Sequence, residues 1–483
     1  MKVLFLIPPS KSSRNVARDL VYGCWCKGKR IGGISFPPIS LLEVASVIKN
    51  EGHHVLVLDA PATQTPLSKL KNIIKKYNFV VILTSTMSIN EDSEILSLLK
   101  KANPRLKTIV FGGHPTSMPR YTLAKPGIDF IVRCESEYII KDLINAYAKN
   151  NDSWKKVRGI GFKQQKKIII NPPYPLIKNL DDLPFPDRSM LPKNIDYFNP
   201  VVKRMPYTTI FTSRGCPGRC TFCASPIFYG RKIRYRSANS VLAELTEISK
   251  LGYKEVFIRD EIFTVNRKRV VAICNGIIKN NLDLTWIASS RIDTIDKPLL
   301  KLMKKAGCHL VRLGVESGVQ EILNNVKKGI KVTQTKKVFK YANSVNIDTH
   351  AHLMIGMPGD NEKTIKQTID FVKEINPTIA TFGICTPYPG TELFSFVAKT
   401  HPEIADGSKA DLSNLHTQAF YNDCFTSLNK KELAELLKHS YKSFYLRPSY
   451  IFSWLKKINS LDEAKRVILA GLTVFDFALG KDE

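Results

Sequence analysis

Short apolar runs alternate with amphipathic stretches from the first residues of this chain, and that rhythm constrains the fold more than any other feature. Residues 3–7 form an apolar run stopped by Pro8 and Pro9; Leu41, Leu42, Val44, Ala45 and Ile48 then recur at helical spacing before Gly52, and 54–59 is the next run. The alternation continues through a helix over 67–76, a strand over 79–83, a helix over 91–101, strands over 108–113 and 130–132, and a helix over 136–149. Runs this short and this apolar belong to parallel sheets covered by helices on both faces. The expectation for residues 1–150 is an α/β, doubly wound, Rossmann-like domain. Ligands of such sheets lie beyond the carboxyl ends of the strands. The residues there are Pro9, Asp59, Ser85, Thr86, Ser88, Gly112, Gly113, His114 and Glu135. Most are small or hydroxyl-bearing, which suits close approach by a large ligand.

The rhythm resumes later. Apolar runs over 209–212, 255–258, 284–288, 310–314, 349–355 and 378–384 are separated by helical patterns. Six such units predict a partial (β/α)6 barrel over 206–400, with its active site at the carboxyl ends of the strands. Residues 151–205 read as a linker, with a hairpin over 159–170 and a Pro-rich stretch over 180–188. Residues 401–483 read as a helical region, in which Tyr441 to Lys457 interleaves aromatics with cations. Such a pattern packs over a barrel mouth or lies on a membrane surface. The long insertion over 14–35, with Cys24 and Cys26, is a candidate cover for a ligand.

Within the second half, Cys216, Cys220 and Cys223 form a C-x3-C-x2-C run in a loop that also holds Gly215 and Gly218. A zinc knuckle needs a fourth Cys or His nearby, and none lies between Arg214 and Tyr235. Iron–sulfur clusters normally take four cysteines, so a compact set of three leaves one iron open. The other cysteines are scattered, which fits a reducing cytosol better than a disulfide framework. No signal peptide and no apolar run long enough to span a bilayer are visible.

The cysteine loop, with Phe222 before its last cysteine, resembles that of the radical S-adenosylmethionine (SAM) enzymes. The resemblance implies a [4Fe-4S] cluster held by the three cysteines, SAM on the open iron, and reductive cleavage of SAM to a 5′-deoxyadenosyl radical. It also implies SAM contacts at successive strand ends. Asp260 or, preferably, Glu261 would accept from the SAM ammonium; Arg291, assisted by Ser290, would grip the carboxylate in bidentate fashion; Glu316 would reach the ribose or the methionine end. His350 and His352, two apart on one strand, share a face, either lining the barrel or packed as core. Tyr388 and Thr391 would lie near the substrate.

The first half, through Pro8-Pro9, residues 36–38, 52–59 and Gly112 to Pro115, is similar to the cobalamin-binding domain that precedes many radical SAM domains. Cobalamin is the implied second cofactor, held by the strand-end residues named above. The Asp-x-His-x-x-Gly motif is absent, since Ala60 and Pro61 follow Asp59; cobalt would lack a ligand from it.

The formal charge is +29, from 72 Lys and Arg against 43 Asp and Glu. The excess favours anionic partners, and with no RNA-binding signature nucleic acid is not expected. Overall order, residues 85–88 and the aromatics near Phe444 and Tyr445 resemble the hopanoid and archaeal membrane-lipid-tailoring members of the cobalamin-domain radical SAM family. The expected activity is lipid tailoring by C–C bond formation, and the expected location is the cytoplasm, peripheral at the membrane inner face. A one-electron donor such as ferredoxin or flavodoxin is the implied partner. The alternative is a methyltransferase or oxidative cyclase acting on a soluble metabolite, porphyrin or peptide.

Overall fold

The computed structural model describes residues 1–10, 17–19, 23–25, 35–165, 167–192, 195, 197, 199–406, 419–455 and 461–478. The first sheet is built from β1 (Lys2–Ile7), β2 (His54–Asp59), β3 (Phe79–Thr84), β4 (Lys107–Gly112) and β5 (Phe130–Val132), extended by β6 (Ile160–Gln164) and β7 (Lys167–Ile170). Their order is β2-β1-β3-β4-β5-β6-β7. The first five strands run parallel, and the hairpin β6–β7 adds antiparallel to the edge. The hairpin placed in the linker by its sequence thus completes the first sheet. Alternate strand residues bury on opposite faces: Val3, Phe5 and Val81 against helices α1 (Ile39–Asn50) and α2 (Glu137–Ala148), Leu4, Leu6 and Val80 against 67–73 and 89–102. Two apolar faces on one sheet are what the doubly wound arrangement requires. The strand order reverses between β1 and β3, so the ligand crevice lies there.

The second sheet contains β8 (Tyr207–Ile210), β9 (Glu255–Ile258), β10 (Thr285–Ser290), β11 (Cys308–Glu316), β12 (Asp348–Ile355) and β13 (Ile379–Ile384), in chain order. All are parallel. Val311, Leu313, Ala351 and Leu353 face the surrounding helices. The alternate residues face the lumen, and Tyr207, Phe257, Ile287 and Leu310 plug its amino-terminal end. Arg188 pins the Pro-rich connection to the barrel: its Nη2 donates to Thr209 O at 3.0 Å and to the buried Glu244 carboxylate at 2.7 Å.

Six strands leave an open edge on β13, whose alternate residues offer N–H and C=O groups with no neighbouring strand. Helices α3 (Lys430–Tyr445) and α4 (Pro448–Leu455) supply tyrosine hydroxyls instead. Tyr441 Oη donates to Phe382 O at 3.0 Å, Tyr445 Oη to Ala380 O at 2.6 Å and Tyr450 Oη to Thr378 O at 2.8 Å. The Phe382 and Ala380 amides donate back to the first two hydroxyls, at 3.3 and 3.1 Å. These three tyrosines therefore seal a sheet edge and do not cover the barrel mouth. Tyr445→Phe strands a buried N–H and C=O, so stability is expected to fall by ~1–3 kcal/mol. Hydrogen exchange at Ala380 should accelerate; an unchanged exchange rate there would refute the role. Beyond lies α5 (Leu461–Ala478), which sets Phe477 edge-on against Tyr441. No helix among the described residues is long and apolar enough to cross a membrane.

Of the 14–35 insertion, only the short antiparallel pair Ala17–Asp19 and Gly23–Trp25 and the last residue, Ser35, are described. The Cys24 side chain and Cys26 lie outside the described residues.

Candidate active site

The cysteine loop leaves β8 through Ser213–Arg214, which pairs antiparallel with Arg234–Tyr235. Gly215 turns at φ +99°, where a Cβ would stand 2.6 Å from Lys232 O. Only glycine fits that close left-handed turn. A Cβ on Gly218 would stand 3.2 Å from Cys216 Sγ, 3.8 Å from Cys220 Sγ and 3.5 Å from Arg291 Nη1. Two of the thiols and one guanidinium nitrogen thus face the same small space. Burial raises the Cys216 thiol and pushes Cys223 up to about 12. Thiols in such surroundings stay protonated unless a cation holds them, and a coordinated metal deprotonates them outright. Among the described residues no group of three or more His, Cys, Asp or Glu closes on a single metal ion. A cubane cluster, by contrast, takes each thiolate on a separate iron, so the loop suits a cluster better than one ion. Phe222 packs with Val326, Cys385 and Leu393, and Thr221 N–H donates to Val326 O at 3.1 Å.

Past the end of β9, Asp260 and Glu261 diverge. Asp260 accepts from Thr212 N–H at 2.6 Å, Thr212 Oγ1 at 2.5 Å and Ser213 Oγ at 2.6 Å. It is fully committed to holding the start of the cysteine loop. Glu261 accepts from Ser225 Oγ at 2.8 Å, and among the described residues its buried Oε2 has no partner. Burial pushes its carboxyl up to about 7. Ser290, last in β10, has a buried and unpartnered Oγ.

The bidentate role expected of Arg291 does not match its surroundings. Its Nε and Nη2 already grip Asp293 at 2.9 and 3.0 Å, and Nη2 also donates to Lys328 O at 2.9 Å. Only Nη1 turns toward the cysteine loop, so a two-nitrogen grip on a second carboxylate would require displacing Asp293.

Glu316 ends β11 at φ +64°, in the left-handed region, beside a register shift against β12. A side chain other than glycine held there is strained, and such strain concentrates at functional sites. Its carboxylate pairs with Lys328 Nζ at 2.6 Å, both side chains buried. Lys328 escaped the sequence reading because a lysine doublet carries no signal in so basic a chain. Burial pushes its ammonium down, but the Glu316 charge and the nearby Cys220 more than offset this, leaving it above the ordinary lysine range. A Cβ on Gly314 would stand 2.5 Å from Glu316 Oε1 and 2.6 Å from Lys328 Nζ, so glycine makes room for the pair. Thr391 does not line this space: its hydroxyl caps the helix Glu392–Thr400 through Phe394 N–H at 3.0 Å.

At the carboxyl ends of the first sheet, Ser85, Thr86 and Ser88 are buried, and Ser85 and Ser88 Oγ stand 3.3 Å apart. Gly112 has φ +126°, where a Cβ would strike Thr84 O at 2.3 Å. Gly113 faces Phe228 of the barrel half, and Asp59 accepts from Ala62 N–H at 3.1 Å and Tyr197 Oη at 3.3 Å. His114 is fully buried, 3.2 Å from Thr86 Oγ1 through Nδ1 and edge-on to Tyr121. Burial and then Lys125 lower it to about 3, and its Nε2 has no partner. Small residues and an orphaned buried nitrogen fit a large ligand in the crevice between β1 and β3.

Glu135 has a different task. Its oxygens take Ile177 N–H at 2.7 Å, Arg234 Nη1 at 2.8 Å and Arg214 Nη1 at 3.3 Å. Arg214 also reaches Glu137 at 2.6 Å and Glu43 at 3.4 Å. One buried guanidinium, two residues before Cys216, thus gathers three carboxylates of the first domain.

These geometries agree with the likenesses to known proteins. The B12 binding domain model matches residues 33–144, and the Radical SAM superfamily model matches 210–372. An uncharacterized methyltransferase of Pyrococcus horikoshii is 32% identical over 455 residues, covering 93% of this chain and 94% of the relative. An anaerobic magnesium-protoporphyrin IX monomethyl ester cyclase of Rubrivivax gelatinosus is 27% identical over 463 residues, covering 93% of this chain and 78% of the cyclase. Among solved structures, the cobalamin-dependent SAM radical enzyme OxsB, with aqua-cobalamin and SAM bound, shares the fold at TM-score 0.71 and 17% identity, over 98% of this chain and 71% of that one. A crevice for a large ligand at one sheet, a three-cysteine loop at the other, and relatives that span both halves lead to one assignment: the chain belongs to the cobalamin-dependent radical SAM enzymes, with a [4Fe-4S] cluster, SAM and cobalamin as its cofactors.

Proposed function

We propose that this enzyme functionalises an unactivated carbon of a membrane lipid, forming a C–C bond. The observation that carries the lipid reading is the outer face of the last two helices. Ile451 and Phe452 on α4, and Leu461, Ile468, Leu472 and Phe475 on α5, are large apolar side chains left exposed. An apolar helix face on a chain of charge +29 suits an anionic bilayer surface, which such helices enter only to the headgroup boundary. When bound, the cofactors supply one-electron cleavage of the SAM S–C5′ bond to a 5′-deoxyadenosyl radical, and cobalamin a methyl carrier or redox centre.

The chain's own residues hold and orient. Cys216, Cys220 and Cys223 ligate three irons of the cluster. Glu261 Oε2 accepts from the SAM ammonium, which replaces the burial penalty on its charge with a charge-assisted bond. Ser290 Oγ and Arg291 Nη1 meet the carboxylate end, and the Glu316–Lys328 pair meets the ribose or methionine side. Pro9, Asp59, Ser85, Thr86, Ser88, Gly112 and Gly113 line the cobalamin crevice, with His114 packed beneath it. The electron donor is of the ferredoxin or flavodoxin type.

A second reading, methyl transfer or oxidative cyclisation on a soluble molecule, is supported by the names of the two relatives. The test measures 5′-deoxyadenosine formed by the anaerobically reconstituted enzyme with SAM and reductant, with and without phosphatidylglycerol vesicles and a lipid extract of the source organism. Stimulation by lipid, at least tenfold lower in Cys220→Ala, is the expected result, with fold-changes of this size marking loss of a cofactor ligand. Formation unchanged by lipid would favour the soluble substrate.

A further inference from the structure

The turn from α3 to α4 carries an open groove of about 480 Å³, lined by His439, Lys442, Ser443, Leu446, Arg447 and Pro448. Small-molecule sites fall in this size range. Lys442 and Arg447 are cations, and no lining residue is acidic. Residues 439, 442, 443 and 446 stand three and four apart, so they form one face of the last turns of α3. Ser443 Oγ and His439 Nε2 meet at 3.1 Å. Arg447 is braced: its Nε donates to Phe444 O at 3.0 Å, its Nη2 to Asn376 Oδ1 at 3.2 Å, and its guanidinium stands 4.6 Å from the Phe444 ring centroid. Among the described residues Nη1 is left uncommitted, and neither Arg447 nor the exposed Lys442 pairs with a carboxylate. The carboxyl end of α3 by itself favours a cation at Lys442. It does not account for Arg447, which lies beyond that end, nor for the amino end of α4, whose positive pole begins at Pro448 on the same groove. An apolar edge continues the groove: Ile451 and Phe452 are 49% and 60% exposed. Ile451 follows Pro448 by three residues and Phe452 follows it by four, so both stand on the groove side of α4. The side carrying Tyr450 and Trp454 is committed to the barrel edge, with Tyr450 buried and Trp454 Nε1 donating to its hydroxyl at 2.5 Å.

We propose that this groove docks the phosphate headgroup of an anionic phospholipid, with Ile451 and Phe452 entering the acyl boundary beside it. The inference rests on the membrane-lipid reading above and adds the site through which the enzyme meets that membrane. Lys442 and Arg447 Nη1 meet the phosphate oxygens, and Ser443 and His439 add hydrogen bonds. A guanidinium already held by its other nitrogens loses little freedom on meeting a phosphate, whose geometry its planar fork matches. Cations set against bare aliphatic and aromatic side chains fit an interface that is charged at its surface and hydrocarbon one layer below.

The test is co-sedimentation of the reconstituted holoenzyme with vesicles of phosphatidylcholine alone and of phosphatidylcholine mixed with phosphatidylglycerol. Wild type is expected to prefer the anionic vesicles, and Lys442→Glu to weaken that partitioning at least about tenfold, because it reverses a charge at an anionic surface. Lys301→Glu makes the same reversal at an exposed position of the helix Lys297–Lys305 and is expected to bind like wild type. Equal loss in both variants would show attraction by net charge alone and overturn the site, as would no loss in either. Should Lys442→Glu fail to fold, Ile451→Asp changes an exposed side chain of the apolar edge, and unchanged partitioning there would overturn the proposal equally. Dihexanoyl phosphatidylglycerol is expected to displace the vesicles at concentrations where inorganic phosphate does not; equal displacement by phosphate would identify a free-phosphate site and sink the lipid assignment. Stimulation of 5′-deoxyadenosine formation by lipid is measured alongside. Its absence beside vesicle binding that depends on Lys442 would remove the lipid-substrate reading and leave the docking site standing; its presence beside binding that ignores Lys442 would do the reverse.

Discussion

Arg214→Met is expected to destabilise the protein by ~3–5 kcal/mol or more, because removing one partner of a buried ion pair leaves uncompensated charge. Here one guanidinium, 3% exposed, serves Glu43, Glu135 and Glu137, themselves 12%, 2% and 1% exposed. Those carboxylates belong to the cobalamin-binding half, whereas Arg214 opens the cysteine loop. The loss should therefore appear first at the junction: faster proteolysis of the Pro-rich 173–187 segment and lower iron content after reconstitution. An unfolding midpoint and iron content equal to wild type would refute this. The cluster also has a pH signature. Burial first, with the Glu137 charge adding and Arg214 opposing, raises Glu43 from 4.5 to about 8. Between those values the folded state holds a proton that the unfolded chain releases, so stability falls with rising pH. The Glu43 contribution is fully present below about pH 4.5 and is lost as pH rises through about 8. Glu43→Gln should match wild type at the acid end and exceed its stability above pH 8.

Lys328→Met is expected to cost about as much, ~3–5 kcal/mol, by leaving Glu316 buried without its cation. Adding Glu316→Gln removes the stranded charge, so the double variant should regain most of the stability. It should not regain SAM affinity if the pair contacts the cofactor. Equilibrium dialysis with SAM, run beside chemical denaturation, separates the two effects; a double variant that binds SAM like wild type would confine the pair to a structural role. Gly314→Ala should reproduce the binding defect more mildly, since its methyl would press on both Glu316 Oε1 and Lys328 Nζ.

Features set by neighbours in the chain were legible in the sequence. Short apolar runs placed the strands of both sheets, and helical spacing placed the main helices of the first half. The three cysteines, carried within one short loop, pointed to a cluster with one open iron because their spacing is itself the ligand set, and the resemblance of that loop implied SAM on the open iron. Choices among adjacent residues were not legible. Asp260 and Glu261 are equivalent carboxylates in sequence; in space, successive residues point to opposite sides, and the side facing Thr212 and Ser213 absorbed Asp260 and left Glu261 over the cysteine loop. Glu135 sits at a strand end like the other crevice residues, but two arginines from beyond the linker occupy it.

The sequence by itself determined the two α/β halves and the cysteine loop, because periodicity and short-range spacing are local properties; the cofactors were implied by resemblance. Only the tertiary structure decided that Tyr441, Tyr445 and Tyr450 stand in for a seventh strand, that Lys328 neutralises Glu316, and that Arg214 gathers Glu43, Glu135 and Glu137. Each depends on a buried polar group finding its partner across the fold, and in low dielectric that requirement overrides what any local pattern prefers.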